Sequence, residues 1–360
     1  MNPYNVEFFS QNFTLKHHTN VDSVSYSVDY LSPKTNTITA RFSQDYSTGD
    51  YVRIYRGDES YFGRVKGITI VNAAGTAASV EYEPFEMLFN AEIMFDVTQQ
   101  GTKSIEQTIA DSITAWWISN SDQAQNVPGL NVTTTSSTAW NFQLQPSVEG
   151  LNFRTVNLYN EIIVQAMSRL GVGVYVSPDP YNQQIDVVVG KANASTYTVE
   201  ADLPNVIVSN IVLNETAEDT NKLIVYNAVD LVSTITYYKH PDRSYDTQNR
   251  NRITPVIYKI ATVTPNEDDT FADLAAREAA ELFESASYNN LIELTVLNDD
   301  ALVGAKTMLI GQTVNIISDG VSYPSLLTGR EVGKVTKLIF GTIRIDLTTI
   351  LKQQRSANNA

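Results

Sequence analysis

Over most of the first hundred residues apolar and polar positions alternate with period 2. That period predicts strands, because successive side chains of a strand face opposite ways. Val24-Ser25-Tyr26-Ser27-Val28 alternates, and so does Thr37-Ile38-Thr39-Ala40-Arg41-Phe42. Residues 51–70 read as a hairpin, followed by Ala78-Ser79-Val80-Glu81-Tyr82. Polar turns such as Ser32-Pro33-Lys34-Thr35-Asn36 separate the strands at the spacing of a small barrel or sandwich.

The period then lengthens. Ile105, Ile109, Ile113 and Trp116 or Trp117 form a helical stripe behind Ser104, which makes a capping box with Gln107. A polar loop rich in Ser, Asn and Gln covers 119–139. A second helix carries Leu158, Ile162, Ala166 and Leu170 inward, with Asn157 at its start and Gly171 at its end. Strands 172–176 and 185–189 flank the turn Ser177-Pro178-Asp179-Pro180-Tyr181-Asn182, so 96–206 reads as an α+β unit. From 207 the chain returns to strands at 206–213, 222–228, 233–238 and 256–263, with a polar insert at 240–252 that reads as an exposed hairpin tip. A third helix at about 270–287 shows Phe271, Leu274, Ala275, Ala279, Leu282 and Phe283 on one face. Asp268, Asp269 and Asp273 stand at its positive end. Strand 292–297 follows, and Gln353 to Ala360 is a polar tail expected to fray.

One stretch is written twice. Gly49-Asp50-Tyr51-Val52-Arg53-Ile54 through Ser60-Tyr61 to Gly67 returns without a gap as Gly311-Gln312-Thr313-Val314-Asn315-Ile316 through Ser322-Tyr323 to Gly329. Gly49, Val52, Ile54, Ser60, Tyr61 and Gly67 have identical counterparts, and Val65 falls on Leu327. These are the letters of a β-hairpin: an opening glycine, alternation, a turn and an aromatic on the return strand. Two copies of one β module with material inserted between them point to a ring-building structural protein rather than an enzyme.

Composition narrows this further. A chain of 360 residues exceeds one hydrophobic core, and two to four domains are expected. Its 42% hydrophobic and 18% charged residues suit a folded protein. A net charge of -15, with Lys239, Arg243, Arg250 and Arg252 the nearest approach to a basic cluster, makes the chain a poor nucleic-acid binder. Without cysteine there are no disulfides, thiolate metal sites or Cys nucleophiles. The N-terminal residues do not read as a signal peptide, and no apolar run approaches the roughly 20 residues of a membrane helix, so no membrane anchor is expected.

No catalytic, cofactor or metal residues are assigned. His17-His18 reads as a solvated loop between strands, and His240-Pro241-Asp242 as a turn. Glu267-Asp268-Asp269 lacks the spacing of a calcium loop and reads as helix capping, and Asn298-Asp299-Asp300 as a turn. Trp116-Trp117 reads as core rather than a sugar platform. No nucleophile elbow, P-loop or dinucleotide fingerprint occurs.

The order of units resembles the tail-hub proteins of long-tailed bacteriophages: the baseplate hub of contractile phages and the N-terminal module of siphophage tail-associated proteins. The resemblance is carried by Gly49-Asp50-Tyr51-Val52-Arg53-Ile54-Tyr55 with Phe62-Gly63-Arg64-Val65. Its second half is Met308-Leu309-Ile310-Gly311-Gln312-Thr313-Val314-Asn315-Ile316 with Tyr323 and Leu327-Thr328-Gly329. It implies a β-rich α+β fold with two similar small β-barrel modules and α+β and β inserts between them. The boundaries are a first barrel at 1–95, an α+β insert at 96–206, a β-rich segment at 207–269, a helix plus second barrel at 270–352, and a tail at 353–360. It also implies a homotrimer in the virion, made in the host cytoplasm. Such a ring joins a sixfold tail tube to a threefold tip and closes the channel until DNA ejection. The implied partners are a distal tail protein, the C-terminus of a tape measure protein, receptor-binding or fibre proteins, and DNA in transit. Because the chain stops soon after the second module, no hydrolase domain is expected. A contractile injection-system hub, a glycan-binding receptor module and a peptidoglycan hydrolase are the alternatives.

Overall fold

The computed structural model describes residues 3–41, 46–57, 59–70, 77–96, 102–140, 153–192, 197–213, 220–240, 244–250, 253–265, 269–284, 288, 290–297 and 308–342. The first strands are β1 (Tyr4–Phe9), β2 (Leu15–Val21), β3 (Tyr26–Asp29), β4 (Asn36–Arg41), β5 (Tyr51–Arg56), β6 (Glu59–Ile70) and β7 (Ala77–Pro84). All but β3 form one six-stranded antiparallel sheet in the order β2-β1-β5-β6-β7-β4. Its ends, β2 and β4, are not hydrogen-bonded to each other among the described residues, so the module is a half-barrel. Val6, Phe8, Val52, Ile54, Val65, Val80 and Tyr82 fill it, drawn from alternate positions as the period-2 pattern requires. His17 and His18 lie within β2, opposite Phe8 and Glu7. The loop expected there is a strand, because pairing with β1 overrides the polar composition.

The middle unit begins with β8 (Glu92–Asp96), and α1 (Ile105–Ile113) follows, widening into a π turn at Thr114–Ile118. The Ser104 side chain accepts from the Gln107 backbone N–H at 3.2 Å, while the Gln107 side chain turns to Asp111 instead of closing the capping box. Ile105, Ile109 and Ile113 are buried, with Trp117 in an edge-on stack on Phe89. The polar loop contains an unforeseen strand, β9 (Leu130–Thr134). Next come β10 (Phe153–Asn157), paired with β8, and a π-helical Leu158–Ile163 capped by Asn157 at 2.8 Å. It runs into α2 (Val164–Leu170), which left-handed Gly171 ends. β11 (Val172–Asp179) and β12 (Gln184–Lys191) form a hairpin, and β9 pairs parallel with β12. That parallel pairing needs a long crossover, which hid β9 from local reading.

The last part comprises β13 (Tyr197–Glu200), β14 (Val206–Leu213), β15 (Lys222–Asn227), β16 (Thr234–Lys239), β17 (Tyr245–Asp246), β18 (Tyr258–Val263), α3 (Phe271–Glu284), β19 (Asn290–Val296), β20 (Thr313–Ser318), β21 (Val321–Val332) and β22 (Thr336–Phe340). Two sheets result. In the smaller, β17-β16-β15-β18, Leu223, Val225 and Val263 bury against Ala275, Ala279 and Phe283 of α3. The helix thus packs on the strands before it, although sequence order groups it with those after it. Thr270 and Asp273 cap it reciprocally, with Asp273 N–H donating to Thr270 Oγ1 at 3.2 Å. The larger sheet runs β13-β20-β21-β22-β19-β14 and continues the core of the middle unit through Val314, Ile316, Leu327 and Phe340.

The two half-barrels repeat each other in register. In β5–β6, Tyr51 faces Arg64, Ile54 faces Tyr61 and Arg56 faces Glu59; in β20–β21, Thr313 faces Leu326, Ile316 faces Tyr323 and Ser318 faces Val321. Each return strand then slips by one residue against its next neighbour, between Val65 and Gly67 in β6 and between Leu327 and Gly329 in β21. Even the entry is shared: Gly49 (φ 93°) and Gly311 (φ 88°) donate to the carbonyls of Val65 and Leu327 at 2.8 and 2.6 Å. Only glycine holds that left-handed backbone without strain. The next two strands correspond as well, β7 with β22 and β4 with β19, with Asn36 opposite Tyr82 as Ile292 is opposite Phe340. The copies differ on the other side of the hairpin, where β1 runs antiparallel to β5 but β13 runs parallel to β20.

Candidate assembly surface

The feature that organises the two modules is β3. By position it belongs to the first module, yet it pairs with β21 of the second: Tyr26 opposite Val332, Ser27 opposite Glu331, Val28 opposite Arg330 and Asp29 opposite Gly329. The Tyr30 N–H extends the ladder to the Thr328 carbonyl at 3.1 Å, and Lys34 forms an ion pair with Glu331. Val332, 1% exposed, joins the apolar interior of the first half-barrel.

Polar groups lock this joint. Tyr26 reaches from β3 into the first half-barrel and donates to Glu59 at 2.9 Å, and Tyr4 donates to the same carboxylate at 3.1 Å. Arg56 lies 3.4 Å from it. Burial raises the Tyr26 pKa, opposed by the charge of Arg330 on β21, whose own pKa is lowered by burial. Buried Glu59 is thereby supplied with donors, as a carboxylate out of water must be. The alternation in Val24-Ser25-Tyr26-Ser27-Val28 announces a strand but not its partner, so the joint was missed from sequence.

Other surfaces are open. Ile70 at the end of β6 is 55% exposed and Ile207 on β14 is 48% exposed. Between the first half-barrel and the π turn lies a cavity of about 380 Å³ lined by Gln11, Tyr51, Arg64, Trp116 and Asn126. Trp116 is thus half in the core and half on that cavity, while Trp117 is buried.

Of the groups weighed as chemistry, His240 and Asp269 have structural partners, and so does Glu106, which the sequence did not single out. His240 is buried, with Nδ1 2.9 Å from the Arg250 carbonyl and Nε2 3.1 Å from Asp246, so its ring ties the insert down. Glu106 is buried too, which raises its pKa, but donors from Ser136 and Thr138 outweigh this and hold it below the ordinary value. Asp269 pairs with Arg277. Glu267, Asp268, Asn298, Asp299, Asp300, Pro241, Asp242 and the 353–360 tail lie outside the described residues. Among the described residues no three His, Asp or Glu side chains gather as metal ligands, and no helix is long and apolar enough to cross a membrane.

No protein-family model matches the chain, and no curated protein does. Solved structures do. A tail protein from Neisseria meningitidis is similar at 13% identity and a TM-score of 0.53, covering 94% of this chain and 96% of that one. The prophage tail protein gp18 from Listeria monocytogenes (14% identity, 99% and 100% covered, TM-score 0.47) and the 43 kDa tail protein of prophage MuSo2 from Shewanella oneidensis (14%, 94% and 98%, 0.49) are also similar. The chain therefore shares the fold of that Neisseria tail protein. The resemblance to the tail-hub family read from its sequence holds at the level of that fold.

Proposed function

We propose that the chain is a structural hub at the tail tip or baseplate of a long-tailed phage. It is a homotrimer whose six half-barrels form a ring between a sixfold tail tube and a threefold tip. The observation that carries this reading is the repeat of β5–β6–β7–β4 as β20–β21–β22–β19 in one register. A hexameric tube offers six equivalent docking surfaces, and a trimer meets all six only if each subunit presents two similar ones. The chain then acts in the virion against a distal tail protein, the end of a tape measure protein and receptor-binding or fibre proteins. It carries out no reaction. Its two half-barrels are the units of the ring, and the α+β insert and the β-rich insert lie between them in sequence.

The net charge of -15 fits a lumen that lets DNA pass without holding its phosphates. Mass photometry of the purified chain is expected to show three copies, joined through interfaces above about 2,000 Å² each. A chain that remains single at micromolar concentration and in the assembled particle contradicts the proposal. Tight, salt-sensitive binding of duplex DNA contradicts the lumen. The glycan-binding alternative rests on the cavity beside Trp116; saccharide binding lost in Trp116→Ala would favour it.

A further inference from the structure

β6 and β21 are one strand written twice, yet their surroundings differ. Beyond Leu327, β21 has β22 on one edge and β3 on the other. Beyond Val65, β6 has β7 on one edge, and among the described residues no strand on the other. Residues Gly67, Ile68, Thr69 and Ile70 stand in β6 where Gly329, Arg330, Glu331 and Val332 stand in β21. A strand edge left open is a row of N–H and C=O groups that templates another strand. The side chains tell the same story, since Val332 is 1% exposed in the neighbouring half-barrel and its counterpart Ile70 is 55% exposed.

The strand that fills the edge of β21 also has a counterpart. β3 immediately precedes β4 and lies beside it, where Asn36 holds the Ser27 N–H and C=O at 2.7 and 3.1 Å. β14 lies beside β19, the counterpart of β4, and pairs with it antiparallel. On its other edge β14 carries no strand among the described residues, and Ile207 is exposed there.

We infer that the 67–70 edge of β6 receives β14 of a second copy of this chain, antiparallel. Ile70 enters that copy's second half-barrel as Val332 enters the first half-barrel within the chain. This rests on the hub reading and adds its joint: the β3–β21 seam inside each subunit is repeated as a β14–β6 seam between subunits. A heterologous contact of this kind closes into a ring when its rotation divides the circle, and alternating two like seams gives six modules from three chains.

The test uses the absence of cysteine from the chain. Ile70→Cys is combined in turn with Ser209→Cys, Asn210→Cys, Ile211→Cys and Val212→Cys in the full chain. Each variant is oxidised and its covalent species are sized under denaturing conditions, beside mass photometry of the native protein. Disulfides form only where Cα atoms come within about 7 Å. Species of two and three linked copies are therefore expected with one or two of the four partners and with none of the single-cysteine variants. Ile70→Asp is expected to weaken assembly at least about tenfold, a loss of roughly 1.4 kcal/mol, while the single chain melts as before. A trimer that links at none of the four positions and ignores Ile70→Asp overturns the seam and leaves the hub reading standing. A chain that stays monomeric and unlinked overturns both.

Discussion

The hairpins β5–β6 and β20–β21 share their entry glycine, residue pairing and one-residue slip, yet the ends of their return strands meet different surroundings. At the end of β21, Val332 is sealed under β3 within the interior of the first half-barrel, and at the end of β6, Ile70 faces solvent. Backbone register is thus set locally, by alternation and by the glycine turn, and survives wherever the module is placed. What lies against the strand is set by the rest of the chain. Exposure at Ile70 therefore reflects what lies beside β6 in this chain and not the hairpin itself.

Substitutions that treat the two ends alike sharpen this comparison. Val332→Asp places a charge in an apolar interior with no partner and is expected to cost about 4 kcal/mol or more, enough to unfold the first half-barrel. Ile70→Asp, by contrast, is expected to change the chain's own stability by less than about 0.5 kcal/mol. Chemical denaturation of both variants measures this, and equal losses would break the contrast.

A second difference concerns pH. The first half-barrel leaves β7 through Phe85–Phe89, and there burial pushes the Glu86 carboxyl up from 4.5 to about 7. The raised folded value means the native state holds its proton more tightly than the unfolded chain. This stabilising contribution is full below about pH 4.5 and is lost as pH rises through about 7. Glu86→Gln, which cannot ionise, is therefore expected to be more stable than the parent by up to about 3 kcal/mol at pH 8. At pH 4.5 the two should be equal. Hydrogen-exchange protection factors are expected to fall between these pH values in β6–β7 more than in β21–β22. A uniform fall would contradict the assignment.

The entry glycines give a graded pair. A methyl group added at Gly49 meets only the flexible end of Gln11, at 2.7 Å, whereas at Gly311 it meets Tyr175 at 2.6 Å and Met167 at 3.0 Å. Both substitutions strain a positive φ, so Gly49→Ala is expected to cost about 1 kcal/mol and Gly311→Ala about 2. Thermal melts order the two, and the reverse order would show that the second site relaxes freely. Comparable to Gly49→Ala, Tyr26→Phe removes one donor from Glu59 while leaving the ring in place. It is expected to cost about 1 kcal/mol.

Much of the fold was legible because its signals are local. The gapless match from Gly49 to Gly67 announced the repeated hairpin, the Ile105, Ile109 and Ile113 stripe announced α1, and Asn157 and Gly171 marked where the next helical segment starts and stops. What escaped are pairings over long separations. β9 joins β12 from within a polar loop, β3 crosses to β21, and α3 turns back onto β15. Periodicity says that a strand exists and which face is apolar, but its partner depends on which edge is open elsewhere in the chain. The same limit hid the joint formed by Tyr26, Glu59 and Val332, whose members are ordinary strand residues until the chain brings them together.

In the proposed hub one module, used twice per chain, builds a sixfold ring from three subunits. Cryo-electron microscopy of the assembled protein tests it most directly. Three copies are expected around one axis, with the β5–β6–β7–β4 and β20–β21–β22–β19 units alternating and related by rotations near 60°. A particle in which the two units lie at unrelated radii or orientations, or in which the chain is monomeric, would contradict it.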